Sequence, residues 1–404
     1  METREKSSAL YFRDFRLFWF SQLVSLSGTW MQSVAQGWLV YSLTKSPFYL
    51  GMVAAASTLP ILLFTLIGGI VADRFRKRNL LIATQALSII PALMLGIFTD
   101  TGVITVYQVI FFAFFLGTVN AFDMPARQSF VIEMVGKGHL LNAIALNSAA
   151  FNGARLIGPV FAGLAIAYMG LPSCFYLNAA SFIPVIIALS MLEAKGEIRN
   201  TQEGFLRDLA EGFYFIKRQR NILYMIILIA VFSLFGIPFT SFLPVFAEEI
   251  FNAGPTGLGL LVSATGLGAL SAALMLAFKS DLRDKLRFMS LSGLCFSLAL
   301  LCASFSRVFA VSLLLLIMAG WGIVSFLATA NSFIQMSTPD NLRGRVMSVY
   351  SFVFLGFTPI GNFLMGIMSE RIGTTNTVAA AALVCLVAAV VFAMKHLKSY
   401  NYAQ

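Results

Sequence analysis

Groups able to do chemistry are few in this chain, and they gather in two places. The first is Gly69–Leu81, GIVADRFRKRNLL, where one acid and four bases (Asp73, Arg74, Arg76, Lys77, Arg78) separate the apolar runs 48–72 and 79–98. The second centres on Arg155, the only lysine or arginine well inside an apolar run. Ser148, Asn152, Arg155 and Pro159 follow +4, +3, +4, and in the first apolar run Gln22, Ser25, Thr29, Gln32 and Gln36 follow +3, +4, +3, +4. Each set shares one helix face, and the second extends about 21 Å. Polar stripes of that length face either a wet cavity or a partner helix rather than lipid. Other chemistry is missing. Cys174, Cys295, Cys302 and Cys385 sit in apolar runs without a CxxC pair, and His139 and His396 are the only histidines. No metal cluster, disulfide framework, paired carboxylates, Ser–His–Asp set or G-x-x-x-x-G-K-[ST] is present. The expectation is no catalytic residue, no metal, no cofactor and no enzyme activity, with any energy coming from gradients or another chain.

These residues must be positioned by membrane-length elements. Of the 404 residues, 58% are hydrophobic and 11% charged, far from a soluble mixture. Twelve runs are long enough to cross a bilayer: 15–41, 48–72, 79–98, 104–124, 143–169, 172–192, 221–247, 256–278, 286–306, 308–331, 346–368 and 376–396. The first outlasts the apolar core of a cleavable signal and lacks a small-residue cleavage site, so it is expected to be retained. With the N-terminus placed in the cytoplasm, all but four of the 28 Lys and Arg fall on cytoplasmic segments, the exceptions being Lys45, Arg307, Arg371 and Arg155. Both termini are therefore expected inside. The net charge of +10 sets topology against the lipid bilayer and needs no nucleic-acid partner.

The predicted fold is all-α: twelve transmembrane helices in two pseudo-symmetric six-helix bundles, 1–192 and 221–404, joined by a cytoplasmic linker, 193–220. Within the linker Leu206, Leu209, Phe213 and Ile216 recur at helical spacing among charges, as in an amphipathic interfacial helix. A shift of 208 residues pairs Pro47 with Pro255, Leu50 with Leu258, Gly51 with Gly259, Ala56 with Ala264, Asp73 with Asp281 and Lys77 with Lys285. Further on the offset drifts to about 200, where Pro159 meets Pro359. Duplicated six-span halves hold a substrate near the membrane midplane between them.

Gly69-Ile-Val-Ala72-Asp73-Arg74-Phe-Arg76-Lys77-Arg78 resembles the loop 2–3 signature of the major facilitator superfamily, G-x-L-A-D-R-x-G-R-R, with Arg76 for the usual glycine and Lys77 for the usual arginine. Gly28–Pro47, Phe122–Val131 (FDMPARQSFV), Asn142–Gly163 and Asp340–Tyr350 (DNLRGRVMSVY) resemble one bacterial branch, the enterobactin-exporter-like or transmembrane secretion effector group. Ala154-x-x-x-Gly158-Pro159-x-x-Ala162-Gly163 is similar to the span 5 motif of antiporters. The resemblance implies the major facilitator fold in a bacterial inner membrane, with spans 1, 4, 7 and 10 lining the cavity. It implies that Asp73 faces the N-terminus of span 11, near Gly344–Ser348, and that Lys77 pairs with Asp123 at the cytoplasmic end of span 4. Gly69, Asp73, Arg74, Lys77 and Asp123 would then latch the cytoplasmic side, at about 0–1 kcal/mol per exposed contact. Gly158 and Pro159 would close and bend the periplasmic side.

Arg155 costs about 2.5–3.5 kcal/mol to place near a helix centre. Its compensation is water, Asn152, Gln36, carbonyls or an anionic cargo, or else it snorkels to Asp123 or Asp73. No carboxylate is expected deep in a span, so the proton as coupling ion follows from the resemblance alone. The expected cargo-facing set is Thr29, Gln32, Gln36, Trp38, Asn152, Arg155 and Trp321. Amides, aromatics and one arginine suit an amphipathic small-molecule substrate: a siderophore, drug or metabolite exported by a monomeric rocker-switch secondary transporter. An importer, a lipid flippase or a non-transporting sensor on the same fold are the other readings.

Overall fold

The computed structural model describes residues 8–194, 205–278 and 284–400, and every regular element among them is helical. After a 3-10 turn at Ala9–Tyr11 come α1 (Arg13–Thr44), α2 (Pro47–Arg74), α3 (Lys77–Asp100), α4 (Val106–Gly136), α5 (Gly138–Met169) and α6 (Pro172–Met191). A short helix α7 (Phe205–Arg218) precedes α8 (Arg220–Ile250), α9 (Gly254–Phe278), α10 (Lys285–Phe305), α11 (Phe309–Met336), α12 (Asp340–Ile372) and α13 (Thr374–Tyr400). Eleven of these, all but α1 and α7, are long and apolar enough to cross a membrane. α1 has 32 residues, but its glutamine stripe and Arg13, Asp14 and Arg16 dilute its apolar character. Asp281, the expected echo of Asp73, lies outside the described residues.

The largest departure from the sequence reading lies between spans 4 and 5. The polar stretch 125–142 stays helical, interrupted only at Gly136, whose φ of 70° suits a residue without a Cβ. The reason is burial. Ala126, Phe130, Val131, Met134, Val135 and Ala143 pack with Phe15 and Phe18 of α1 and with Val185 and Leu189 of α6. α8 is irregular instead of uniform, because Pro238 and Pro244 lack the amide hydrogens a regular helix needs. Its backbone passes through π and 3-10 turns between Phe232 and Ile250.

The contacts divide the chain into two compact units. One holds residues 1–45, 56–202 and 253–263; the other holds 46–55, 203–252 and 264–404. They differ from contiguous halves by two segments, Ser46–Ala55 and Ala253–Ser263, and by α7, which belongs with the second unit. In the first unit α1 packs on α6 and on the α4–α5 pair, and α3 packs on α6. In the second, α10 packs on α11 and α13, and α12 packs on α7, α8 and α13.

Helices meet where a side chain is missing. A Cβ on Gly68 of α2 would overlap the Ala121 carbonyl of α4, and one on Gly117 of α4 would overlap the Ser57 carbonyl of α2. The second unit repeats this at the α9–α11 crossing, through Gly268 against Ile317 and Gly320 against Thr265. The two displaced segments are also matched. Gly51 lies against the Asn362 carbonyl and Gly366 of α12, while Gly259 lies against the Pro159 carbonyl and Gly163 of α5. Ser46 Oγ and the Phe48 amide donate to Glu370 at 2.8 and 3.3 Å, fixing the start of α2. Ser263 Oγ donates to the Leu156 carbonyl at 2.8 Å, next to the bond Pro159 cannot make.

Gly68→Ala is expected to destabilise the protein by about 1–3 kcal/mol through overpacking. Gly69→Ala, where a Cβ meets nothing within 4 Å, should stay within about 0.5 kcal/mol of the parent. Apparent melting temperatures of the purified proteins in detergent, compared side by side, check this contrast.

Candidate functional site

The charged loop resolves into a short break between two helices. α2 ends at Arg74, two residues follow, and α3 begins at Lys77. A cation at a helix N-terminus opposes the dipole there, yet Lys77 is 2% exposed. Its Nζ lies 2.9 Å from Glu133 of α4. This corrects the pairing of Lys77 with Asp123. α4 continues well past Asp123, so Glu133, not Asp123, reaches the level of Lys77.

Asp123 lies within α4, 4% exposed, and is held by hydrogen bonds within its unit. Thr84 Oγ1 and Gln85 Nε2 of α3 donate to one carboxylate oxygen at 2.7 and 2.9 Å. Arg127, one turn along α4, donates to the other through Nε at 2.8 Å and through its terminal nitrogen. Asp123 and Arg127 stand at i, i+4 in FDMPARQSFV, but a helix expected to end at residue 124 gave no sign that the pair would be buried within α4. Arg78 donates to the carbonyls of Ser190 and Leu192 at 2.8 and 3.0 Å and so caps the C-terminus of α6. Among the remaining loop residues, Asp73 and Gly69 are half-buried and Arg74 is exposed.

The stripes on α1 and α5 also lie in the first unit. Gln22, Ser25 and Gln32 are buried, while Thr29, Gln36 and Trp38 are half-buried. Gln32 Oε1 accepts from Asn178 Nδ2 of α6 at 2.7 Å, so this amide ties α1 to α6. The close approach that permits it is at Gly28, where a Cβ would lie 2.7 Å from Asn178 Oδ1. Nothing in the sequence links residues so far apart. Asn152 turns back on its own helix, donating to the Ser148 carbonyl at 2.8 Å.

Arg155 has no carboxylate beside it. Its guanidinium carbon sits 5.5 Å from the ring of Trp30 on α1, and Trp30 meets Phe151 edge-on at 5.6 Å. Its Nε is buried without a hydrogen-bond partner. Below this, the small-residue stripe does what its spacing suggests. Ala154 and Ala162 are fully buried, and a Cβ on Gly158 would lie 2.7 Å from both the Ser27 carbonyl and Trp30 Cβ. In the second unit, Trp321 of α11 is half-buried and meets Phe288 edge-on at 6.0 Å.

An all-helical chain of membrane-length segments, carrying buried ion pairs inside them, is a multi-pass membrane protein. The solved POT family transporter PepTSo matches the fold with a TM-score of 0.75 over 97% of this chain and 99% of its own, at 13% identity. The family model described as transmembrane secretion effector matches residues 7–404. The chain belongs to that family of major facilitator superfamily transporters. It is 25% identical to the staphyloferrin A transporter of Staphylococcus aureus, over 90% of this chain and 91% of that one. It is 26% identical to the multidrug efflux pump Tap of Mycolicibacterium fortuitum, over 93% and 94%. Family and relatives make it a bacterial membrane transporter and not an enzyme.

Removing one partner of the Asp123–Arg127 pair leaves a buried charge. Asp123→Leu and Arg127→Met are each expected to cost about 3–5 kcal/mol, while the double variant Asp123→Leu/Arg127→Met should recover most of that loss. A double-mutant cycle on apparent melting temperature reads the coupling directly.

Proposed function

We propose that this protein is a secondary active exporter of amphipathic small molecules, of the siderophore or drug type named for its relatives. In this reading α1 completes twelve spans, both termini are cytoplasmic, and two pseudo-symmetric halves alternate access by rocking. The basic residues support the orientation. The repeated glycine crossings, α2 with α4 and α9 with α11, support the duplication.

Arg155 carries the proposal. A guanidinium stacked on an indole, with a buried N–H lacking a protein partner, is a cation whose remaining valence is left for a cargo anion or ordered water. The Trp30–Phe151 pair beside it offers a flat apolar surface to the rest of an amphipathic molecule. Thr29, Gln36 and Trp38 on the half-buried part of α1 belong to the cargo set of the first unit, and Trp321 is the residue the second unit offers to cargo. Gln32 supports the set by tying α1 to α6, and Asn152 by its bond to Ser148 within α5. Asp73, Arg74 and Gly69 act as the cytoplasmic gating residues of the first unit in this reading, while Gly158 and Pro159 keep α5 closely packed. Protons are the coupling ion in this scheme, as in the antiporters whose span 5 motif the Ala154–Gly163 segment resembles.

Inside-out membrane vesicles test direction and site together. An energised preparation should accumulate an anionic siderophore or dye. Arg155→Ala should lower the initial rate about 10–100-fold, the loss of one charge-assisted hydrogen bond, with Arg155→Lys intermediate. Accumulation only in right-side-out vesicles would overturn export, and an unchanged Arg155→Ala rate would remove Arg155 from the site.

A further inference from the structure

α7 has two faces of different character, and only one is accounted for by packing. Gly212 and Ile216, one turn apart, dock on α12: a Cβ on Gly212 would lie 2.6 Å from the Arg345 carbonyl, and Ile216 is 1% exposed. Glu211 pairs with the Arg345 guanidinium at the same contact. Phe213, which shares the helical spacing of Ile216, is 46% exposed, and Tyr214 is 58% exposed. Each is followed one turn later by an exposed cation, Lys217 and Arg218. Arg218 stacks on Tyr214 with its guanidinium carbon 4.3 Å from the ring. α8 then starts at Arg220, and one turn further its Tyr224 holds Lys395 of α13, with Nζ 3.9 Å from the ring. Among the described residues, none of Lys217, Arg218, Arg220 and Lys395 pairs with a carboxylate.

We propose that the outward face of α7 and the first turn of α8 bind the phosphate headgroups of anionic phospholipids. Four uncompensated cations at the end of a spanning helix attract phosphate. The exposed rings identify the source. A soluble anion would need only the cations and would leave Phe213 and Tyr214 in water. A bilayer surface takes the cations at headgroup level and the rings at the acyl boundary. Since α7 is fixed to α12 through Gly212, Ile216 and Glu211, a bound lipid holds the second unit at that level of the membrane. The inference rests on this end of the unit lying at a membrane surface, and not on the direction of transport.

Full-length protein in detergent, titrated with phosphatidylglycerol or phosphatidylcholine and examined by native mass spectrometry, tests this without reference to orientation or activity. The parent should retain phosphatidylglycerol at least tenfold more tightly than phosphatidylcholine. Lys217→Gln/Arg218→Gln/Arg220→Gln should erase that preference, while Arg307→Gln should keep it. Lys217→Arg/Arg218→Lys/Arg220→Lys should retain it, and Phe213→Ser/Tyr214→Ser should weaken retention of both lipids if the neutralised variant does not fold. Equal binding of the two lipids by the parent, an unchanged preference in the neutralised variant, or full displacement by excess inorganic phosphate would each overturn the proposal.

Discussion

Between helices that already face hydrocarbon, apolar burial gives little net attraction, so association depends on how closely backbones approach. This chain meets that constraint with glycines placed against carbonyls. At the α2–α4 crossing each helix supplies one glycine to the other's carbonyl, and α9 and α11 do the same. The polar stripes depend on these approaches. Asn178 can reach Gln32 only because Gly28 lets α6 close on α1, and Trp30 sits beneath Arg155 because Gly158 brings α5 onto the same helix.

A second layer of specificity comes from charge. Lys77–Glu133 joins α3 to α4 at one level, and Thr84 and Gln85 of α3 join it at another by donating to Asp123, whose other oxygen is taken by Arg127 of its own helix. Such pairs repay their desolvation only when every lone pair is met, and their main effect is to fix register. The contrast with Arg155 is informative. Its charge is met by an aromatic face and not by an acid, which marks it as different in kind from the structural pairs.

Much of this was legible in the sequence. Apolar run lengths located eleven membrane-length helices, and spacing identified the Ala154–Gly158–Ala162 stripe as a packing surface. Local polarity fell short at two points. The charges of 125–142 suggested a loop, but the apolar residues among them pack on α1 and α6, and that burial carries the helix to Gly136. The periodicity of Leu206, Leu209, Phe213 and Ile216 suggested an amphipathic helix at an interface, but gave no sign that Gly212 would dock α7 on α12 and leave Phe213 outside that contact. Pairings between distant segments, Lys77 with Glu133 and Gln32 with Asn178, carry no local signal. They depend on where helices end and how they cross.

The two ion pairs differ in a way that bears on how the chain enters the membrane. Asp123 and Arg127 are one turn apart on the same helix, so α4 can leave the translocation machinery with its charges already neutralised. Lys77 takes its partner from a helix made later, but it stands at the end of α3, where a long side chain can wait in the headgroup region. The Asp123 pair is local in sequence and the Lys77 pair is remote. During biogenesis the first can form as soon as α4 is helical, whereas the second must wait for α4 to pack against α3.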